Sequence, residues 1–335
     1  MKQLLVRFRQ SALFKLFVKA GLTLLAFWFV FRGIDFSLLG EMLHKQDRRL
    51  LMVAVALMTV QLVTGAFRWR MILTALSGTS EHVLTYLAAL KIYYISVFFT
   101  CCLPGTVGGD VIRVWLTKSD KVPLSIAIHS VIIDRMIALA ALTLMIILTL
   151  PILGSLAGFN PLVVFVIVML AAVAGIFFLI NMERLIGRYK QFRVVNWILY
   201  FLDSLRLLIK CRSASIKSLT MALSTHTVYC MAAYALAQSF HINITMMQCI
   251  TLIPPVVLAT TLPISIGGWG IREASTIAML GLIAVPRGQA LMLSIQLGII
   301  IVLITLPASI LWLLYRKHSP QPIDMNNANV SGIGP

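Results

Sequence analysis

Charge is scarce in this sequence, and negative charge is scarcest. Only 12% of the 335 residues are charged, and 11 acidic residues face 28 basic ones. A soluble domain carries about 25% charged residues, so that class is excluded. The five cysteines (Cys101, Cys102, Cys211, Cys230, Cys249) never form a Cys-x-x-Cys. Most lie in apolar runs, where a thiol acts as a small hydrophobe. We therefore expect no disulfide, no metal and no cofactor. No Gly-rich loop ends in Lys-Ser or Lys-Thr, and no nucleophile–base pair stands out, so nucleotide use and enzyme activity are not expected. No nucleic-acid-binding motif accompanies the net charge of +17, and we expect no nucleic-acid partner. Basic loops that set orientation and touch anionic lipid account for it. The basic-then-apolar N-terminus has no small-residue cleavage site, which predicts an uncleaved first helix.

What is abundant is apolar surface: 60% of residues are hydrophobic and mean hydropathy is +0.95. Strong apolar runs cover 16–31, 50–67, 83–103, 123–150, 161–181, 216–239, 246–262 and 289–314, with a weaker one at 273–285. Crossing a bilayer takes about 20 helical residues. The sequence predicts an all-α, multi-pass membrane domain over 1–315. An amphipathic cytoplasmic segment (182–215) interrupts it, and a disordered tail (316–335) follows. Placing the N-terminus, 68–82, 117–122, 182–217 and the tail inside puts 19 Lys/Arg there, against five outside and four within the membrane. That bias predicts cytoplasmic termini. It also forces 83–116 to enter and leave from one side, and 246–285 from the other. The expected architecture is an inverted repeat, 50–150 and 216–314, with about six full spans and two re-entrant hairpins.

Each hairpin turn carries the same signature. "LPGTVGGDVIR" (103–113) and "LPISIGGWGIR" (262–272) share Leu, Pro, both glycines, Ile and Arg at a constant offset of 159. Pro104 and Pro263 end the incoming helix. The pairs Gly108-Gly109 and Gly267-Gly268 permit a tight turn or close backbone approach, with Gly270 a third glycine in the second copy. A new helix would follow, presenting unpaired N–H groups, with Arg113 or Arg272 about one turn further in. Such a start can bind an anion. It can equally pack a kinked helix pair, the arginine binding backbone carbonyls.

Asp110, Asp134, Arg135, Glu273 and Lys91 fall in the same layer. Each would cost about 2.5–3.5 kcal/mol facing lipid at the centre, so all seven groups should face the bundle interior or a wet cavity. Four cations against three anions leave one net positive charge, which fits an anionic guest. Asp134-Arg135 can also be a structural helix lock. His129 and Asp134 point about 140° apart on a helix, so the pair is not an acyltransferase motif, and His129 is expected in the core. "RWRMIL" after Phe67 reads as an interfacial anchor. His226, Gln61 and Gln296 read as interhelical hydrogen-bond partners.

"LPGTVGGDVIRVW", "IIDRMIAL" and "LPISIGGWGIREAS" together resemble the flippase-like family named after the transmembrane region of lysylphosphatidylglycerol synthase, over about 10–315. The resemblance implies a bacterial inner-membrane or archaeal plasma-membrane lipid translocase. Its site would comprise Pro104, Gly108, Gly109, Asp110, Arg113, Asp134, Arg135, Pro263, Gly267, Gly268, Gly270, Arg272 and Glu273. Its partner would be a phospholipid or lipid-linked substrate with an anionic or zwitterionic headgroup. With no room after the last helix for an aminoacyl-transfer domain, synthase activity is not expected. The alternative is a non-transporting subunit that presents lipid to a separate synthase or glycosyltransferase.

Overall fold

The computed structural model describes residues 44–77, 84–102, 107–118, 122–166, 212–261 and 268–316, with isolated positions between 169 and 206. Every named regular element among them is a helix. They are α1 (Arg48–Ser77), α2 (Tyr86–Cys102), α3 (Val107–Thr117), α4 (Leu124–Ala157), α5 (Arg212–Ser239), α6 (Met246–Thr261), α7 (Ile271–Gly281), α8 (Arg287–Thr305) and α9 (Ala308–Arg316). The expected first helix (16–31), most of 161–181, most of the amphipathic segment and the tail lie outside the described residues.

Three helical stretches are long and apolar enough to cross a membrane: Arg48–Ser77, Leu124–Ala157 and Arg287–Leu313. Two shorter apolar helices, α2 and α6, accompany them. α5 has the length of a span but is rich in Ser, Thr and Ala. It buries Ser218, Ala222, Thr225, Ala232 and Ala233 and packs along α1. Small residues let two helices approach closely within a bundle, so α5 trades apolarity for contact. Large side chains such as Leu148, Leu303, Ile310 and Leu313 are exposed on the outside, as a lipid-facing surface requires.

Three boundaries differ from expectation. α1 does not stop at Arg68 but runs through it to Ser77. No proline or glycine occurs between Arg68 and Ser77 to end it. α4 continues past Pro151 to Ala157, which shortens the expected outer loop at 151–161. It ends where Gly158 adopts φ 72° and donates its N–H to Gly154 O at 2.9 Å, a left-handed stop suited to glycine. The last run breaks between α8 and α9 at Leu306 and Pro307, where proline offers no N–H to the helix.

Contacts between the halves are reciprocal. α1 packs on α5, α4 on α6, and α8 on α2. Within each half, α2 packs on α3 and α6 on α7. One buried cluster, around Leu236, Leu252, Leu280 and Leu293, joins α5, α6, α7 and α8. Another, around Trp69, Ile92, Ile95 and Ala127, joins α1, α2 and α4.

Candidate functional site

The first motif sits at the α2–α3 junction. α3 begins at Val107, so Gly108 and Gly109 lie inside its first turn rather than before it. A Cβ at Gly109 would stand 2.1 Å from Ser96 O and 2.0 Å from Thr100 Oγ1 of α2. The glycine is there so that α3 can lie against the α2 backbone. Asp110 follows in the same turn and accepts from Arg113 Nη2 at 2.8 Å. It also accepts from Arg135 Nε at 3.0 Å.

Arg113 reaches further, donating through Nη1 to Asp134 Oδ2 at 3.1 Å. The other oxygen of Asp134 accepts from Arg68 Nε at 2.8 Å. Arg68, Arg113 and Asp134 are all buried. The guanidinium of Arg113 lies 5.4 Å from the Trp69 ring and 5.3 Å from the Tyr93 ring. Trp69, fully buried, donates to Ser130 Oγ at 3.2 Å. The result is an alternating chain, Arg68–Asp134–Arg113–Asp110–Arg135, spread over α1, α4 and α3.

This chain corrects two expectations. Arg68 and Trp69 are no interfacial anchor; they belong to the buried network. Lys91, expected in the same layer, is exposed on α2. His129 is buried, with its ring 5.8 Å from that of Phe201, and Asp134 is engaged by arginines instead. His226 bonds Ala138 O across helices at 3.0 Å, and Gln296 exchanges bonds with Gln46. Gln61 instead stands on a cavity wall.

The second motif is built differently. Gly268 (φ 79°) and Gly270 (φ 83°) form a left-handed turn ahead of α7, a backbone that a side chain would strain. Glu273 is fully buried. Its carboxylate accepts the Gly270 N–H, Arg272 Nη2 at 2.7 Å and Ser294 Oγ at 3.3 Å. The start of α7 is therefore capped from within by Glu273, and its Gly270 N–H is not left open for a ligand. Arg272 lies 4.4 Å from the Trp269 ring and crosses α8 at Gly298, where a Cβ would come within 2.1 Å of Nη2.

Between the halves lies a cavity of about 310 Å³. Its wall includes Gln61 of α1, Tyr93 and Thr100 of α2, Arg135 of α4, Thr225 and Tyr229 of α5, Thr260 and Thr261 of α6, and Arg272 of α7. Of the residues expected to form the site, Arg135 and Arg272 reach this wall. Asp110, Arg113 and Asp134 stand behind Arg135, and Glu273 behind Arg272. Gly108, Gly109, Gly268 and Gly270 shape the backbone. Pro104, Pro263 and Gly267 lie outside the described residues. The polar wall residues on α1, α5 and α6 carry no motif. Their signal is weak: a Gln, a Tyr and scattered Thr in otherwise apolar helices.

Residues 16–311 match the family described as the lysylphosphatidylglycerol synthase TM region. No curated protein matches the chain. The match spans most of the sequence, and the chain belongs to that family.

Proposed function

From that membership we propose that the protein is a lipid translocase of the plasma membrane, not an enzyme, and that it binds a headgroup in the cavity between its halves. The observation that carries this reading is an arginine from each half on one cavity wall, Arg135 and Arg272. The two hairpins are α2–α3 and α6–α7, related as an inverted repeat. The reciprocal packing of α4 on α6 and α8 on α2 supports that relation. The acyl chains stay in lipid while the halves rock about the α1–α5 contact. Arg113, which the motif made the natural headgroup ligand, acts instead as the brace that holds Asp110 and Asp134, and through Asp110 orients Arg135. The termini are cytoplasmic in this reading, following the positive-inside bias.

Purified protein in liposomes tests it. A labelled lipid should reach the opposite leaflet faster than in empty vesicles, and Arg135→Gln or Arg272→Gln should return the rate towards the empty-vesicle value. Bound lipid that never crosses faster, with or without an ion gradient, would support the presenting-subunit alternative instead.

A further inference from the structure

The notable property of the cavity is what its wall does not carry: among the described residues that line it there is no Asp or Glu. We propose that it selects a phosphodiester of single negative charge whose headgroup bears free hydroxyls, and rejects zwitterionic and aminoacylated headgroups. This rests on the translocase reading above and specifies its substrate.

The charge balance is the first argument. The groups joined behind the wall are Arg68, Arg113, Arg135 and Arg272 against Asp110, Asp134 and Glu273. Arg272 and Glu273 cancel. Among the described residues that leaves an excess of one positive charge, which belongs to the Arg68–Asp134–Arg113–Asp110–Arg135 group with Arg135 its half-exposed end. A phosphodiester cancels it. A phosphomonoester, at about −1.5 to −2 near neutral pH, overshoots. A zwitterion leaves the excess in place and brings an ammonium beside two guanidinium groups, a like-charge juxtaposition that is costly where water is scarce. The acids nearest the cavity give that ammonium no help. Glu273 is fully buried and takes four donors from the protein, and Asp110 is engaged by two arginines.

The hydroxyls supply the second argument. Thr100 donates to Ser96 O at 3.0 Å, and Thr225 to Met221 O at 2.7 Å. Thr260 donates to Val257 O and Thr261 to Leu258 O, both at 2.7 Å. A threonine hydroxyl has one proton and two lone pairs, so Thr260 and Thr261 keep acceptor capacity on the cavity wall, whereas Thr100 Oγ1 lies against Gly109 and Thr225 Oγ1 against Thr64 Oγ1. Acceptors in a cationic pocket suit neutral O–H donors. At about 310 Å³ the space is at the small end of ligand sites, which run from about 300 to 1,000 Å³. That size takes a polyol headgroup and leaves the chains outside.

The experiment is native mass spectrometry of the full chain. The protein is equilibrated in nanodiscs holding equal amounts of phosphatidylglycerol, phosphatidylethanolamine, phosphatidic acid and lysyl-phosphatidylglycerol. We expect phosphatidylglycerol to be retained over each of the others by about tenfold or more. Thr261→Asp, which puts a carboxylate on the wall, should shift retention towards the two amine-bearing lipids. Thr260→Val, which removes one acceptor, should weaken phosphatidylglycerol retention alone. Equal retention of all four lipids by the wild type, lost together in Arg135→Gln and Arg272→Gln, would overturn the charge class and leave the cavity as the lipid site. Unchanged retention in both arginine variants would overturn the cavity itself. Soluble glycerophosphoglycerol separates lipid from free phosphodiester. If it displaces the lipid at equal concentration, the chemistry stands and the translocase reading falls.

Discussion

Gly109 and Gly268 hold the same place in the two copies of the motif, 159 residues apart, yet they do different work. Gly109 is helical and missing a side chain so that α3 can touch the α2 backbone. Gly268 has φ 79° and meets nothing closer than 3.4 Å; it is a glycine because of its torsion. The cause lies two residues on. Val111 in the first copy lets the helix start early, at Val107, whereas Gly270 in the second holds a left-handed conformation and delays the start to Ile271. The acid moves accordingly. Asp110 precedes its arginine by three residues and is shared with Arg135, whereas Glu273 follows its arginine directly and caps the helix. Consequently Arg113 is buried in a brace while Arg272 faces the cavity. Near-identical words in a sequence can thus place one arginine in a buried ion-pair network and the other on a cavity wall.

Four substitutions would break or sharpen that comparison. The largest effect is expected from Asp134→Ala, which leaves Arg68 and Arg113 buried without their shared partner. Breaking such a buried pair costs about 3–5 kcal/mol, so thermal unfolding in detergent should drop sharply, and an unchanged midpoint would show the first-half brace to be dispensable. Next comes Gly109→Ala. Its Cβ would press on backbone rather than on a flexible side-chain end, so it should cost up to about 3 kcal/mol, the upper part of the overpacking range, and separate α2 from α3. The matching Gly268→Ala has room and pays only for the left-handed backbone, about 1–2 kcal/mol. If the two glycine variants melt alike, the claimed division of labour fails. The smallest effect on the fold is expected from Gly298→Ala, because the atoms in its way are the movable tip of Arg272. Its melting point should stay near wild type while retention of co-purified lipid falls by roughly tenfold, about 1.4 kcal/mol.

Much of the fold was legible from the apolar runs. The starts of α1, α4, α5, α6 and α8 fall within about four residues of the sequence expectation, inside the usual uncertainty of such boundaries. The extension of α1 beyond Arg68 was missed because "RWR" has the composition of a membrane boundary, although nothing in the next nine residues would stop a helix. The site was legible as a set of charges but not as an arrangement. Asp110, Arg113, Asp134, Arg135, Arg272 and Glu273 were expected together, and the structure brings them into two ion-paired groups around one cavity. Gln61 was read as an interhelical partner, and Tyr229 and the threonines were not singled out, since a polar side chain on an apolar helix usually serves a neighbouring helix.

Composition and pattern alone determined that the chain is a helical membrane protein with a twice-used proline–glycine–arginine motif. The set of buried charges was not fixed there: Lys91 is exposed while Arg68 and Arg70 are buried, because burial depends on which helix face meets a neighbour. Which arginine reaches the cavity wall and which stays in the buried ion-pair network was decided by the tertiary structure. That choice depends on helix starts and crossing points, set by the torsion at Gly270 and the close approaches at Gly109 and Gly298, and no residue count contains them.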